Sequence, residues 1–242
     1  MKILRLLVLV LSALIPALIQ AQSLQLFSSY YKAHTNGMSG AAERHLIQRE
    51  DGSYRLNMSL EAKVIGFKIG ELEQASEFEI IDQRLLPRHY SYLLSGITSK
   101  TETVSFNWDA GVARSRKNEQ SWDVELSDQV LDEMTYQLAM SLQLQVSDNT
   151  MFEFDIIDGA EIATLQFRLL GEEILTTPLG RLNTVKVERL REESSRRSTL
   201  IWFAKDWNYL LAKIEQVNPS GLRIELELEN ALVSGEQVTA LP

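Results

Sequence analysis

The stretch STLIWFAKDWNYLLAKIEQVNPSGLRIELELEN, Ser198 to Asn230, decides the fold. In its last third Leu222, Ile224, Leu226 and Leu228 alternate with Arg223, Glu225, Glu227 and Glu229. Successive side chains of a strand point to opposite faces, so this segment has one apolar face and one wet face. Asn218-Pro219-Ser220-Gly221 ahead of it carries Pro second and Gly fourth, as a type I turn prefers. Earlier in the stretch the pattern changes: Leu200 and Trp202 share one face and Ile201 and Phe203 the other. A strand apolar on both sides is a central one, and Trp202 and Phe203 are expected in the core.

The same period of two recurs on either side. Phe152, Phe154 and Ile156 oppose Glu153 and Asp155, and Tyr54, Leu56, Met58 and Leu60 oppose Arg55, Asn57 and Ser59. Turn residues separate such segments at Asn36-Gly37, Glu50 to Ser53, Asp109 to Gly111 and Asp158-Gly159. The expectation is an all-β, mainly antiparallel chain, with one curled sheet forming a barrel or half-barrel whose neighbouring strands pair in sequence order. One segment departs from this. From Ser127, SDQVLDEMTYQLAMSLQLQ places Leu131, Met134, Leu138 and Leu142 at helical spacing, which predicts a helix over about 127–145 capped by Ser127 or Asp128. Only the sheet is available to bury that stripe, so the helix is expected to pack on it, with any ligand site beneath.

The first 21 residues read as a secretory signal peptide: Lys2 and Arg5 lead an apolar run that ends in a small residue, Ala21. The run from Leu6 to Ile19 is too short to cross a bilayer and is interrupted by Pro16, so cleavage after Ala21 is expected rather than a retained anchor. Residues 22–242 are then a single domain with no stable membrane insertion. The chain has no cysteine, hence neither disulfide nor lipoprotein anchor, and 221 residues are enough for a core without cross-links. Its formal charge of −9 becomes −11 without Lys2 and Arg5, which disfavours nucleic acid as a partner.

Chemistry is sparse. Gly37 to Ala41, GMSGA, falls short of the G-x-S-x-G nucleophile elbow and lies between strands, where a hairpin loop is expected. If that loop spans Asn36 to Ala42, His34 comes near Glu43 and His45 across the hairpin, the one candidate metal set, although no close histidine spacing supports it. Glu153 with Asp155, Asp123 with Glu125, and Glu225 with Glu227 each share a strand face, as a hydrolase's carboxylates or as ordinary wet faces. Arg189, Arg191, Arg196 and Arg197 flank Glu192-Glu193, and cross-strand ion pairs are expected there in preference to an anion site. No Gly-rich phosphate loop occurs, and no cofactor is expected.

The succession LFSSYYKAHTNGMSG, EFEIIDQRLLPRHYSY, a helix, TTPLGRLNTVKVERLR and LIWFAKDWNYLLAKIEQ resembles the domain of unknown function family 3108. At Leu210-Leu211-Ala212 this chain lacks a proline that such families commonly carry. The resemblance implies a Gram-negative envelope protein, hence a periplasmic location, with an antiparallel, barrel-like sheet and no assigned activity. By analogy with carriers of that plan, Trp108, Trp122, Trp202 and Trp207 together with Leu131, Met134 and Leu138 are the candidate lining of an apolar ligand site. The leading expectation is a non-enzymatic periplasmic protein that binds an apolar small molecule or lipid, or an envelope protein. An envelope glycan or lipid hydrolase and a structural accessory of an envelope complex are the alternatives.

Overall fold

The structure, a computed structural model, describes residues 24–242 except 36, 37 and 66. The expected signal peptide, its cleavage point and the Asn36-Gly37 turn lie outside the described residues. Fourteen strands form one antiparallel sheet: β1 (Phe27–Thr35), β2 (Met38–Gln48), β3 (Tyr54–Val64), β4 (Phe67–Ile81), β5 (Arg84–Gly96), β6 (Lys100–Asn107), β7 (Val112–Lys117), β8 (Gln120–Glu125), β9 (Met151–Asp158), β10 (Glu161–Thr177), β11 (Gly180–Leu190), β12 (Ser198–Ala204), β13 (Leu210–Val217) and β14 (Arg223–Val233). A two-residue strand, β15 (Glu236–Gln237), pairs with β14.

Two meanders, β1 to β8 and β9 to β14, run in sequence order, as short turns dictate. They are joined by β1 against β14, a pairing that spans almost the whole chain. The order β8 to β1, then β14 to β9, leaves β8 and β9 as the two edges of a nearly closed barrel. The gap between them is bridged twice. Leu131 makes a parallel bridge to Ile156, donating its N–H to Asp155 O at 2.8 Å. Lys117 of β7 forms an ion pair with Asp158.

Register fixes which residues face inward. Tyr136 of the helix lies against Phe154 and Phe167, with ring centroids 6.1 and 5.6 Å away. Phe154 is paired with Leu165, Leu169 with Val187, Val187 with Ile201, and Ile201 with Ile214. The inner wall continues through Leu226, Ala33, Ala42, Leu60, Leu72 and Leu94 to Val104 and Trp122. The alternation read from the sequence at Phe152, Phe154 and Ile156, and at Tyr54 to Leu60, is this wall.

The helix α1 spans Thr135–Val146, so it begins eight residues after Ser127. Its cap is neither Ser127 nor Asp128. Asp132 Oδ1 accepts the backbone N–H groups of Met134 and Thr135, both at 2.8 Å, and Thr135 Oγ1 accepts the N–H of Asp132. This reciprocal arrangement satisfies the orphan donors of the first turn. Leu131 precedes the helix and serves the bridge to β9 instead. The helix buries Tyr136, Leu138, Met140 and Leu144, more than one stripe, because it sits inside the curl of the sheet.

Trp202 and Phe203 are both buried, and β12 is a central strand between β11 and β13. Their coverings differ. Phe203 and Ile201 face the core, whereas Trp202 lies on the outer face and is only 4% exposed because Lys186 and Lys213 flank it. Their ammonium groups stand 4.7 and 5.5 Å from the ring centroid, and its indole N–H donates to Glu173.

Candidate functional site

The turn between β12 and β13 holds the helix in place. Asn208 and Tyr209 both have left-handed backbone, with φ of 51° and 55°. Their carbonyls point to the helix, where Ser141 Oγ donates to Tyr209 O at 2.9 Å and to Asn208 O at 3.2 Å. Gln145 Nε2 donates to Asn208 O as well. At the opposite end, Ser76 Oγ on β4 donates to Asp132 Oδ2. Burial pushes the Asp132 carboxyl above its usual range, although hydrogen bonds from Ser76, Thr135 and Met134 pull it down. Helix and sheet are thus tied at both ends, by helix side chains to turn carbonyls at one and by the Ser76 hydroxyl to Asp132 at the other.

Two openings flank the helix. On the β12–β13 side a crevice of about 40 Å³ is lined by Leu138, Ser141, Leu142, Phe203, Trp207 and Arg44, among others. This has room for a few waters at most. On the other side, a cleft of about 420 Å³ runs between the helix, the start of β5 and the edge of β9. Its apolar lining is Leu85, Leu131, Ala139, Leu142, Val146 and Phe154; Arg84, Asp128, Gln129, Gln143 and Thr164 supply polar groups. Its volume falls in the range of small-molecule sites, and Gln83 with the candidate carboxylates Glu153 and Asp155 completes its polar side. Among the described residues, β9 has no further strand on its outer edge past the single bridge to Leu131.

The candidate residues are distributed unevenly around these openings. Leu131 lines the larger cleft, and Leu138 and Trp207 line the crevice. Met134 is buried at the start of the helix. Trp108 stacks on Phe106 and donates its indole N–H to Pro87 O at 2.7 Å, and Trp122 is on the inner wall opposite Ser115 in β7. Trp202 is on the outer face and borders neither opening. The four tryptophans therefore do not converge. Sequence reasoning missed Leu85, Ala139 and Val146. The alternation in β9 marked Phe154 as inward-facing, but no local signal says that β9 is an edge beside the helix.

The metal set also comes apart. Strand β2 begins at Met38, so the hairpin is tighter than a loop over Asn36 to Ala42, and Ser39 and Gly40 are strand residues. Thr35 pairs with Met38, which places His34 opposite Ser39, while Glu43 lies opposite Tyr30. Four residues separate these positions along β1, roughly 13 Å. Glu43 and His45 do meet, at 3.4 Å, and His45 Nδ1 stands 3.0 Å from Ser28 Oγ. Among the described residues no group of three or more His, Asp or Glu side chains is placed to hold a metal ion. Five of the six carboxylates in the strand-face pairs have cross-strand partners: Glu153 accepts from Gln166, Asp155 from Thr164, Asp123 from Arg114, and Glu225 and Glu227 from Lys213. No helix among the described residues is long and apolar enough to cross a membrane.

A β-barrel-like protein of domain of unknown function DUF1849 from Brucella abortus shares the fold: TM-score 0.57, 6% identity, 88% of this chain and 99% of that one covered. MucB in its complex with MucA(peri) aligns with a TM-score of 0.36 at 13% identity, over 90% of this chain and 52% of MucB. No curated protein matches the chain. Residues 29–227 match the family described as protein of unknown function DUF3108, and the early tyrosine-rich strand, the β10–β11 turn and the tryptophan-bearing β12 all fall within that span, so the chain belongs to this family.

Proposed function

We propose that this is an exported, non-enzymatic protein of the periplasm that binds an amphipathic small molecule or lipid in the cleft between α1 and β9. The 420 Å³ cleft carries the reading, because its apolar floor of Leu85, Leu131 and Phe154 lies inside a rim of polar groups. The pairing of the wet-face carboxylates with neutral or basic neighbours supports binding over hydrolysis. Native mass spectrometry with solvent extraction of protein purified from its own envelope tests the proposal. A copurifying apolar molecule, absent from an Ala139→Trp variant that fills the cleft, is the expected result. Protein that is ligand-free in every preparation and takes up no apolar fluorescent probe would overturn it.

A second reading, docking to an envelope protein, is favoured by a separate observation. The β3–β4 and β5–β6 tips lie side by side, with Ile97 N–H donating to Ile69 O at 3.3 Å, and they present Ile65, Phe67 and Ile97 at 92%, 77% and 83% exposure. Large apolar side chains this exposed and this close together mark interaction surfaces.

A further inference from the structure

The segment from Arg189 to Arg197 has the opposite electrostatic character to the rest of this acidic chain. The sequence leads one to expect its four arginines to pair with Glu192 and Glu193. Among the described residues they do not: Arg189, Arg191, Arg196 and Arg197 take part in no ion pair, and Glu188 is taken by Arg168. Arg189 and Arg191 share the inner-facing side of β11 and its extension, since Arg189 is paired with Phe167, whose ring stacks on Tyr136. Together with Thr164, Gln166, Leu190, Glu192 and Ser195, they line a cleft of about 590 Å³ at the barrel's end. Strand β11 ends at Leu190, paired with Gln166, so the opening lies beside the stretch of β10 that β11 does not cover.

Two further facts set this cleft apart from a solvated charged loop. Arg191 donates one guanidinium N–H to Thr199 Oγ1 at 3.3 Å, but its Nε is buried without a hydrogen-bond partner. A buried charged donor left unmet costs free energy until an acceptor arrives. Burial first, and then the charges of Arg189 and Arg197, hold the Arg191 guanidinium below its usual range. The nearby acids compensate poorly. Burial pushes the Glu133 carboxyl up, toward its neutral form, against the pull of Arg189, and Glu192 is exposed at the loop.

We propose that this cleft is a binding site for a phosphate group, held by Arg189 and Arg191 with Arg197 adding charge. Guanidinium forks match the oxygens of a phosphate, and several acting together favour it over a monovalent anion. Ser195 offers a hydroxyl donor in the same lining, whereas Thr164 and Gln166 already donate to Asp155 and Glu153. The phosphate can be free or carried as a lipid headgroup, and the chemistry of recognition is the same. The site shares only Thr164 with the lining of the α1–β9 cleft, so it stands whether or not that cleft binds an apolar molecule.

Amide chemical-shift titration of the full mature chain with inorganic phosphate, and in parallel with a soluble short-chain phosphatidic acid, tests the proposal at constant ionic strength. Saturable shifts confined to residues 164–166 and 189–197 are expected. They should weaken roughly tenfold or more in Arg191→Gln and vanish in the Arg189→Gln, Arg191→Gln double variant. Arg168→Gln, whose arginine is exposed and paired with Glu188, should bind as wild type. Tighter binding of the short-chain lipid identifies a headgroup as the source, and equal binding identifies free phosphate. Arg191→Lys, which retains charge without the fork, checks that a loss is not unfolding, since it should fold and bind weakly. Shifts that are absent, or that match those given by chloride alone, or binding undiminished in a folded double variant, would overturn the assignment.

Discussion

Around the helix, the inner wall is packed to exclusion: the rings of Tyr136, Phe154 and Phe167 lie with centroids about 6 Å apart, and Ile156, Leu165 and Met140 are fully buried. Toward the far ends of β3, β4 and β5, the same wall is built from Leu60, Leu72 and Leu94, aligned across three strands but only half-buried, and it ends in the exposed tips at Ile65, Phe67 and Ile97. Both regions read alike in the sequence, as apolar residues at every second position. What separates them is the helix, twelve residues long and shorter than the strands it covers. The barrel is therefore filled at one end, and its stability and its ligand-sized opening both collect where the helix sits.

A series of truncations breaks or sharpens this contrast. Phe167→Ala should cost about 4 kcal/mol, because the ring is fully buried against Tyr136 and Phe154. Trp202→Ala should cost about 2 kcal/mol. It removes a large ring, but from the outer face, where lysine stems can close over the gap. Leu60→Ala, on the half-filled wall, should cost about 1 kcal/mol. Urea melts of the three variants check the order, and a Leu60→Ala loss equal to that of Phe167→Ala would erase the distinction between the two ends.

A smaller effect follows from the buried cap. Burial raises the Asp132 carboxyl above its ordinary 3.8, so the folded state holds this proton more tightly than the unfolded chain. The resulting stabilisation is fully present below the unfolded value and is lost as pH rises through the raised folded value. Asp132→Asn keeps an acceptor for the Met134 and Thr135 N–H groups and cannot ionise. The stability of wild type relative to this variant should decline as pH rises through that window and level off above it. Thermal melts across the window check the sign.

Much of this was legible in the residues. Period-two alternation gave the inner and outer faces, and turn chemistry at Glu50 to Ser53 and Asn218 to Gly221 gave sequential pairing. Long-range facts were not legible. Pairing of β1 with β14, the edge position of β9 and the covering of Trp202 by lysines from two neighbouring strands depend on closure of the sheet, which no short window encodes. The helix start was misplaced because Leu131 fits helical spacing yet serves the bridge to Ile156. The Asp132-x-x-Thr135 spacing was the signal that marked the true start. The arginine segment was read as internally paired because its acids are close in sequence, and closeness in sequence does not make them partners in space.

The most direct test asks which end of the barrel takes a guest. An apolar fluorescent probe is titrated into wild type, into Ala139→Trp, which fills the cleft between α1 and β9, and into Leu60→Trp, which adds the same ring to the open wall. The account predicts that Ala139→Trp weakens probe binding by roughly tenfold or more while Leu60→Trp leaves it unchanged. Loss of binding in Leu60→Trp with none in Ala139→Trp would contradict it and move the site to the far end of β3–β5.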